Sequence, residues 1–197
     1  MQQKIRNIRE QLLSDNWYTL KNYSFELQRR DGSWQEQQRE AYDRGNGAVV
    51  LLYNRQKRSV VLTRQFRLPV FINGHQGFLI EAAAGLLDNA SPETRIVAEA
   101  EEETGYRVQH IEKVMEAFMS PGSVTEKLYF FIAEYADDDR QSKGGGLADE
   151  GEDIEVLEWP LTQALSAIRS GEIMDAKTIM LLQYVAMNVH FEEPIPC

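Results

Sequence analysis

The hydrophobic pattern changes period three times along the chain. Between residues 17 and 43 polar and apolar positions alternate, with Tyr23, Phe25 and Leu27 on one side, until Asp31-Gly32 supplies a hairpin turn signal. Residues 1–44 therefore read as a small antiparallel β unit. From there GAVVLLYN and SVVLTRQFR are near-continuous apolar runs joined by a polar turn, as expected of buried strands. FLIEAAAGLL, EKLYFFIAEY and IEVLEWPL predict further strands, while TQALSAIRS and DAKTIMLLQYVAMNV place apolar residues at three- and four-residue spacings and predict helices. Strands, a helix, strands and then helices give an α+β domain with a mixed sheet over residues 45–197.

The helix between those strands carries unusual charge. Ser91-Pro92 supplies an N-cap hydroxyl and a proline at the first helical position, and Gly105 suits the left-handed residue that closes a helix. On a wheel of ~100° per residue, Glu99, Glu102 and Glu103 fall within one arc of ~100°. Ile96, Val97, Ala100 and Thr104 occupy the adjoining arc and face the core, leaving Glu101 alone on the far side, in water. Carboxylates at a helix C-terminus oppose the macrodipole, and like charges four apart repel. At ~6 Å and an effective dielectric of ~20 each pair costs roughly 3 kcal/mol. Arg95, four residues before Glu99, relieves part of this in the weaker order of the two. A solvated acidic face and a divalent-cation site are the two readings of the pattern.

Composition narrows the chemistry. The formal charge of −10 over 197 residues argues against nonspecific binding to nucleic acid or an anionic membrane, and requires local cations for any anionic substrate. The single cysteine, Cys197, provides neither a disulfide framework nor a thiolate zinc site, and His75, His110 and His190 show no ligand spacing. A metal would thus be hard and oxygen-bound, Mg²⁺, Mn²⁺ or Ca²⁺. No apolar run approaches the ~18 residues that span a bilayer, and MQQKIRNIREQLLSDN lacks a signal-peptide core, so a cytoplasmic protein is expected. One segment, DDDRQSKGGGLADEGED from Asp137 to Asp153, interrupts two strands with a long acidic loop. Its three glycines are expected to let Asp149, Glu150, Glu152 and Asp153 swing toward a site.

At GLLDNASPETRIVAEAEEETGY the sequence resembles the Nudix box. That pattern runs glycine, five residues, glutamate, seven residues, then Arg-Glu-apolar-any-Glu-Glu-any-Gly-apolar. Gly85 matches its opening, and Glu99, Ala100, Glu102, Glu103, Gly105 and Tyr106 match its second half in register. The stretch from Gly85 to Ala98 is one residue shorter than the pattern, Ala98 stands in place of the Arg, and Ala90 or Ser91 in place of the first Glu. Pro121, in FMSPGSVTE, looks like the ADP-ribose pyrophosphatase branch. SDNWYTL, REAYDRGNGA, RQFR, AGLLDN, FFIAEY and GEIMDAKT look most like its bacterial members that act on GDP-mannose, whereas GLADEGED is closer to those that act on ADP-ribose.

The resemblance implies the Nudix fold, a mixed β-sheet sandwiched between helices, and metal-dependent hydrolysis of a nucleoside diphosphate sugar. GDP-mannose is the expected substrate and ADP-ribose its competitor. By position it implies a metal shell of Glu99, Glu103, the Ala84 carbonyl and Glu152, with Glu102 as ligand or brace and Mg²⁺ or Mn²⁺ as the ion. Glu150 is the candidate base, with Glu103 or Glu152 as alternatives. Arg67 would meet the diphosphate, which Arg fits bidentately. Trp17, Arg39 and Glu40 would reach the nucleotide in the partner subunit of a homodimer, and Glu126 and Lys177 would contact substrate. A non-catalytic nucleotide-sugar sensor and an acidic docking protein are the rival classes.

Overall fold

A computed structural model describes residues 4–147, 149 and 151–191. The chain divides into two compact units, one running through Asn46 and including Phe118–Lys127, the other comprising Gly47–Ala117 and the chain from Leu128 onward.

The first unit is a three-stranded antiparallel sheet in the order β1 (Ile5–Asp15), β2 (Thr19–Gln28) and β3 (Trp34–Asp43). The Asp31-Gly32 turn joins β2 to β3, with Ser33 N–H donating to Asp31 Oδ1 at 3.0 Å. The added segment binds this sheet within the unit: Tyr42 N–H donates to the Ser123 carbonyl at 2.8 Å and Thr125 Oγ1 to Asp43 Oδ1 at 2.8 Å. The alternation seen from residue 17 onward covers β2 and β3. β1 is a strand as well, and it leaves Ile8, Leu12 and Leu13 exposed.

The second unit is built on a mixed sheet in the order β10-β5-β4-β9-β8. These are β4 (Gly47–Asn54), β5 (Ser59–Phe66), β8 (Glu112–Phe118), β9 (Lys127–Glu134) and β10 (Glu155–Pro160). β6 (Phe78–Glu81) pairs with β5 and β7 (Ala83–Leu86) with β4. FLIEAAAGLL is therefore two strands, not one, parting at Ala82. β4 is parallel to β9 and antiparallel to β5 and β7. All of β4 is buried, which accounts for its unbroken apolar run. Ala48, Val50 and Leu52 join Ile96 and Ala100 of the acidic helix in one core with Phe131, Tyr106 and Tyr135.

α1 (Leu68–Ile72) is a short helix between β5 and β6 that no hydrophobic period announced. α2 (Pro92–Glu99) starts as expected, with Ser91 Oγ accepting from Thr94 N–H. It then widens into a π turn over Ala100–Thr104, closed by Gly105 at φ 80°. α3 (Leu161–Ser170) and α4 (Ala176–Asn188) complete the unit, burying Ala164, Ala167, Leu181, Leu182 and Val185. No helix among the described residues is long and apolar enough to cross a membrane.

Candidate active site

The acidic helix meets the sheet at its most charged end. Glu103 is only 1% exposed and accepts from Ala84 N–H at 3.2 Å, so its carboxylate lies against β7. Glu99, also buried, lies against the next residues of the same strand: a Cβ on Gly85 would overlap its Oε1 and Cδ. Gly85 is therefore required by close approach. The π turn belongs to this arrangement, since an i→i+5 turn changes the angular step just where Glu101, Glu102 and Glu103 follow one another. Glu101 is not simply in water, as the wheel implied. Arg107 takes both of its oxygens, at 2.7 and 2.9 Å, and holds its carboxyl below the usual range.

The loop carrying Glu152 is anchored to this helix. Gly145 N–H donates to the Glu103 carbonyl at 2.9 Å and Gly146 N–H to the Glu102 carbonyl at 3.1 Å. Gln141 N–H donates to the Gly105 carbonyl at 2.8 Å. Carbonyls that a helix end leaves without partners are thus satisfied by the loop. Gly144, Gly145 and Gly146 all have positive φ, and a Cβ on Gly144 would strike the Glu103 carbonyl. Expected to let the acids swing, these glycines instead dock the loop stem. Glu152 follows on the far side of the turn, its Oε2 accepting from Leu147 N–H at 2.9 Å. Asp149 is exposed, and Glu150 lies outside the described residues.

Burial pushes Glu103 up to about 8, with the charges of Glu99 and Glu152 adding to the effect and Arg67 and the Ala84 N–H opposing it. Glu99 and Glu152 are therefore each within electrostatic reach of Glu103, whose own carboxyl is under-compensated. Among the described residues no three acids converge as a ready-made metal shell. The donor chemistry nonetheless suits a hard divalent cation: carboxylate oxygens that repel one another beside a strand bearing the Ala84 carbonyl. Such an ion would let Glu103 stay ionised despite its burial.

Beside this face lies a second, balanced group that sequence reasoning did not single out. Glu81, at the end of β6, is buried with Oε2 2.7 Å from Arg67 Nε and Oε1 2.6 Å from Lys177 Nζ. Lys177 also meets Asp175 Oδ1 at 2.9 Å, and Asp175 caps α4 by accepting from Thr178 N–H. Burial works against the charge on Lys177, but Glu81 and Asp175 outweigh it and raise its pKa. Arg67 is likewise held protonated against its burial, chiefly by Glu81, with Glu103 contributing. The signal for Glu81 was present: a carboxylate closing an apolar run in a strand must find a cation or a proton.

The remaining predicted residues belong to the first unit. Trp17 is 84% exposed and edge-on to Tyr18. Arg39 and Glu40 project from β3 into solvent, Arg39 donating to the Gln38 carbonyl at 2.6 Å. Glu126 is paired with Arg44 at 3.4 Å.

Comparison with known proteins adds the following. Residues 4–42 match the family model described as the GDP-mannose pyrophosphatase NudK N-terminal domain, and residues 43–181 match that of the NUDIX domain. The GDP-mannose pyrophosphatase of Citrobacter koseri is 55% identical over 186 residues, 94% of this chain and 96% of the relative. That of Shigella flexneri is 54% identical over 189 residues, 95% of this chain and 98% of the relative. A solved structure titled as an ADP compounds hydrolase superposes with a TM-score of 0.70 at 16% identity, covering 95% of this chain and 97% of that one, and so shares the fold.

Proposed function

The chain belongs to the Nudix family of hydrolases, and on that premise we propose that it cleaves GDP-mannose between its two phosphates, releasing GMP and mannose 1-phosphate. The observation that carries the reading is end-to-end identity above one half with GDP-mannose pyrophosphatases, N-terminal unit included. ADP-ribose is the competitor, favoured by GLADEGED alone.

Nudix hydrolases depend on a divalent metal, and we assign Mg²⁺, with Mn²⁺ as substitute. Glu99, Glu103, Glu152 and the Ala84 carbonyl would hold it, with Glu102 as ligand or brace. When bound, the ion polarises the diphosphate and offsets the charge of the leaving phosphate. Water attacks one phosphorus, the bridging P–O bond breaks, and the water's proton must be taken up. Glu150 is the assigned base, with Glu103 or Glu152 as alternatives. Arg67 keeps its terminal nitrogens for the diphosphate, since Glu81 engages its Nε. Lys177 already serves two carboxylates, which leaves one ammonium donor, enough for a sugar hydroxyl but little for neutralising a phosphate.

The N-terminal unit, residues 1–44, is assigned to homodimerisation and to the partner's nucleotide. Exposed Ile8, Leu12 and Leu13 on an edge strand support a partner there. Trp17 would stack on the base, with Arg39 and Glu40 beside it and Glu126 at the substrate. We place the enzyme in the cytoplasm with its substrate.

A panel of nucleoside diphosphate sugars in Mg²⁺, with products identified, tests the assignment. GDP-mannose should have the highest kcat/KM; a clearly higher value for ADP-ribose overturns it. Mixing Trp17→Ala with Glu103→Gln should restore activity through hybrid dimers that carry one site intact in both parts. A stable active monomer overturns the crossover.

A further inference from the structure

Arg95 makes three contacts that none of the roles above uses. Its Nε donates to the Leu86 carbonyl at 3.3 Å, one terminal nitrogen lies 2.5 Å from Glu99 Oε1, and the other lies 3.6 Å from Glu102 Oε2. Leu86 ends β7, the strand whose Gly85 admits the Glu99 carboxylate. One planar guanidinium thus spans a strand end and two helix acids, and its side chain is only 25% exposed. Ala98, farther along the same helix, has no functional group with which to do this.

A cation in this position has two conceivable roles, and the geometry separates them. A mere counter-ion needs only the nearest carboxylate, and it would compete with a metal for that carboxylate. The bond to the Leu86 carbonyl neutralises no charge. What it does is fix the plane of a rigid fork, and the fork in turn fixes the Glu99 carboxylate it holds and draws Glu102 by charge from 3.6 Å. As a device for helix stability the pair is a poor choice, because Arg before Glu at this spacing is the weaker order. Resting on the Nudix reading, we propose that Arg95 is a positioning residue: it orients Glu99 and Glu102 for the divalent metal and pins α2 to the end of β7. Ala98, with no charge of its own, is then tolerated in a box that resembles one having Arg there.

The test is Mn²⁺ titration followed by electron paramagnetic resonance, on the natural chain, Arg95→Lys and Arg95→Gln, each also melted in chelator. Lysine keeps the charge and loses the fork. Both variants should bind Mn²⁺ more weakly, by roughly 10-fold or more, the usual cost of losing an outer partner of a metal ligand. In a Glu99→Gln background the same substitutions should add little, since their effect runs through that carboxylate. Should Arg95→Gln melt below the titration temperature, Arg95→Lys carries the comparison alone. Tighter Mn²⁺ binding in Arg95→Gln makes Arg95 a competing counter-ion and overturns the proposal. Natural affinity in Arg95→Lys shows that charge alone suffices, and also overturns it. A natural chain that binds no Mn²⁺ removes the metal reading itself, a result seen before any substitution is made.

Discussion

Glu81 and Glu103 are both buried carboxylates of the same unit, yet their surroundings are opposite. Around Glu81 two acids meet two cations, each oxygen of Glu81 taken by a different one, and the group is complete as folded. Around Glu103 the acids outnumber the cations within reach, and burial leaves its carboxyl with a pKa of about 8. A protein that could place Arg67 and Lys177 against one acid could have placed a cation against the other. Leaving the Glu103 group only partly compensated, with Arg95 on Glu99 and Arg67 acting on Glu103 through its charge, is sensible if a divalent ion completes it. The balanced group then serves as scaffold and anion arm, the unbalanced one as the seat of chemistry. Arg67 touches both: bound to Glu81, it also acts on Glu103 through its charge.

The sharpest way to break this contrast is Glu103→Gln. At near-constant volume it removes a charge from the crowded group while leaving an oxygen to accept from Ala84 N–H. Hydrolysis of GDP-mannose should fall by well over ~10²-fold, beyond the 10–100-fold typical of residues that only support ligands. Melting in chelator should move the other way, to a higher temperature, because the metal-free fold no longer has to keep a buried carboxyl protonated near neutral pH, or to bear its repulsion with Glu99 and Glu152 above about pH 8. Near-natural turnover would return the helix to the solvated-face reading. A natural chain at full rate in excess chelator would do the same.

The loop divides the next two effects. Glu150→Gln should lower turnover by roughly 10²–10⁴ with little change in Mn²⁺ affinity, as expected for a base. Glu152→Gln should weaken Mn²⁺ binding as well, since Glu152 belongs to the repulsive group around Glu103. Identical metal titrations for the two variants would erase that division of labour.

On the balanced side, Glu81→Gln leaves Arg67 and Lys177 facing a neutral amide. Breaking a fully buried pair costs about 3–5 kcal/mol. Arg67 is 38% exposed and Lys177 keeps Asp175, so about 2 kcal/mol is expected here, read by denaturant unfolding. Unlike Glu103→Gln, this variant should lose stability in chelator and in metal alike. A loss confined to the metal-bound form would mean that Glu81 belongs with the metal group.

The sequence disclosed these two groups unequally, for a physical reason. Periodicity reports burial, so β4, β5, β9, α3 and α4 were legible from apolar runs and spacings, while β10 was read from its apolar and aromatic residues although none of it is fully buried. β8 was not, because EKVMEAF is half-exposed and keeps no clean period. The break at Ala82, the π turn at Ala100–Thr104 and the short α1 depend on tertiary packing that no local pattern encodes. Glu99, Glu102 and Glu103, proposed above to serve the metal, were visible because they cluster in one helical run. The balanced group brings Arg67 from the end of β5, Glu81 from β6 and the neighbours Asp175 and Lys177 from the start of α4, and only the fold shows that the three places meet. Arg95 was legible as Glu99's neighbour on the helix, but its bond to Leu86 was not, since that joins a strand end to a helix across a turn.

The smallest expected effect is the most selective control. Glu101 lies among the same run of acids, two residues from Glu103, and differs from it only in where the π turn aims it. Arg107 satisfies both of its oxygens at the surface, and surface pairs of this kind contribute little. Glu101→Gln should therefore leave kcat/KM, Mn²⁺ affinity and the melting temperature within error of the natural chain. Glu103→Gln, measured alongside, removes the same charge from the same segment of helix. If the two variants lose activity equally, what matters is the summed negative charge of the helix and not the placement of particular carboxylates. If only Glu103→Gln is crippled, the site is a matter of geometry, set by Gly85, Ala84 and the turn that carries Glu103 against β7.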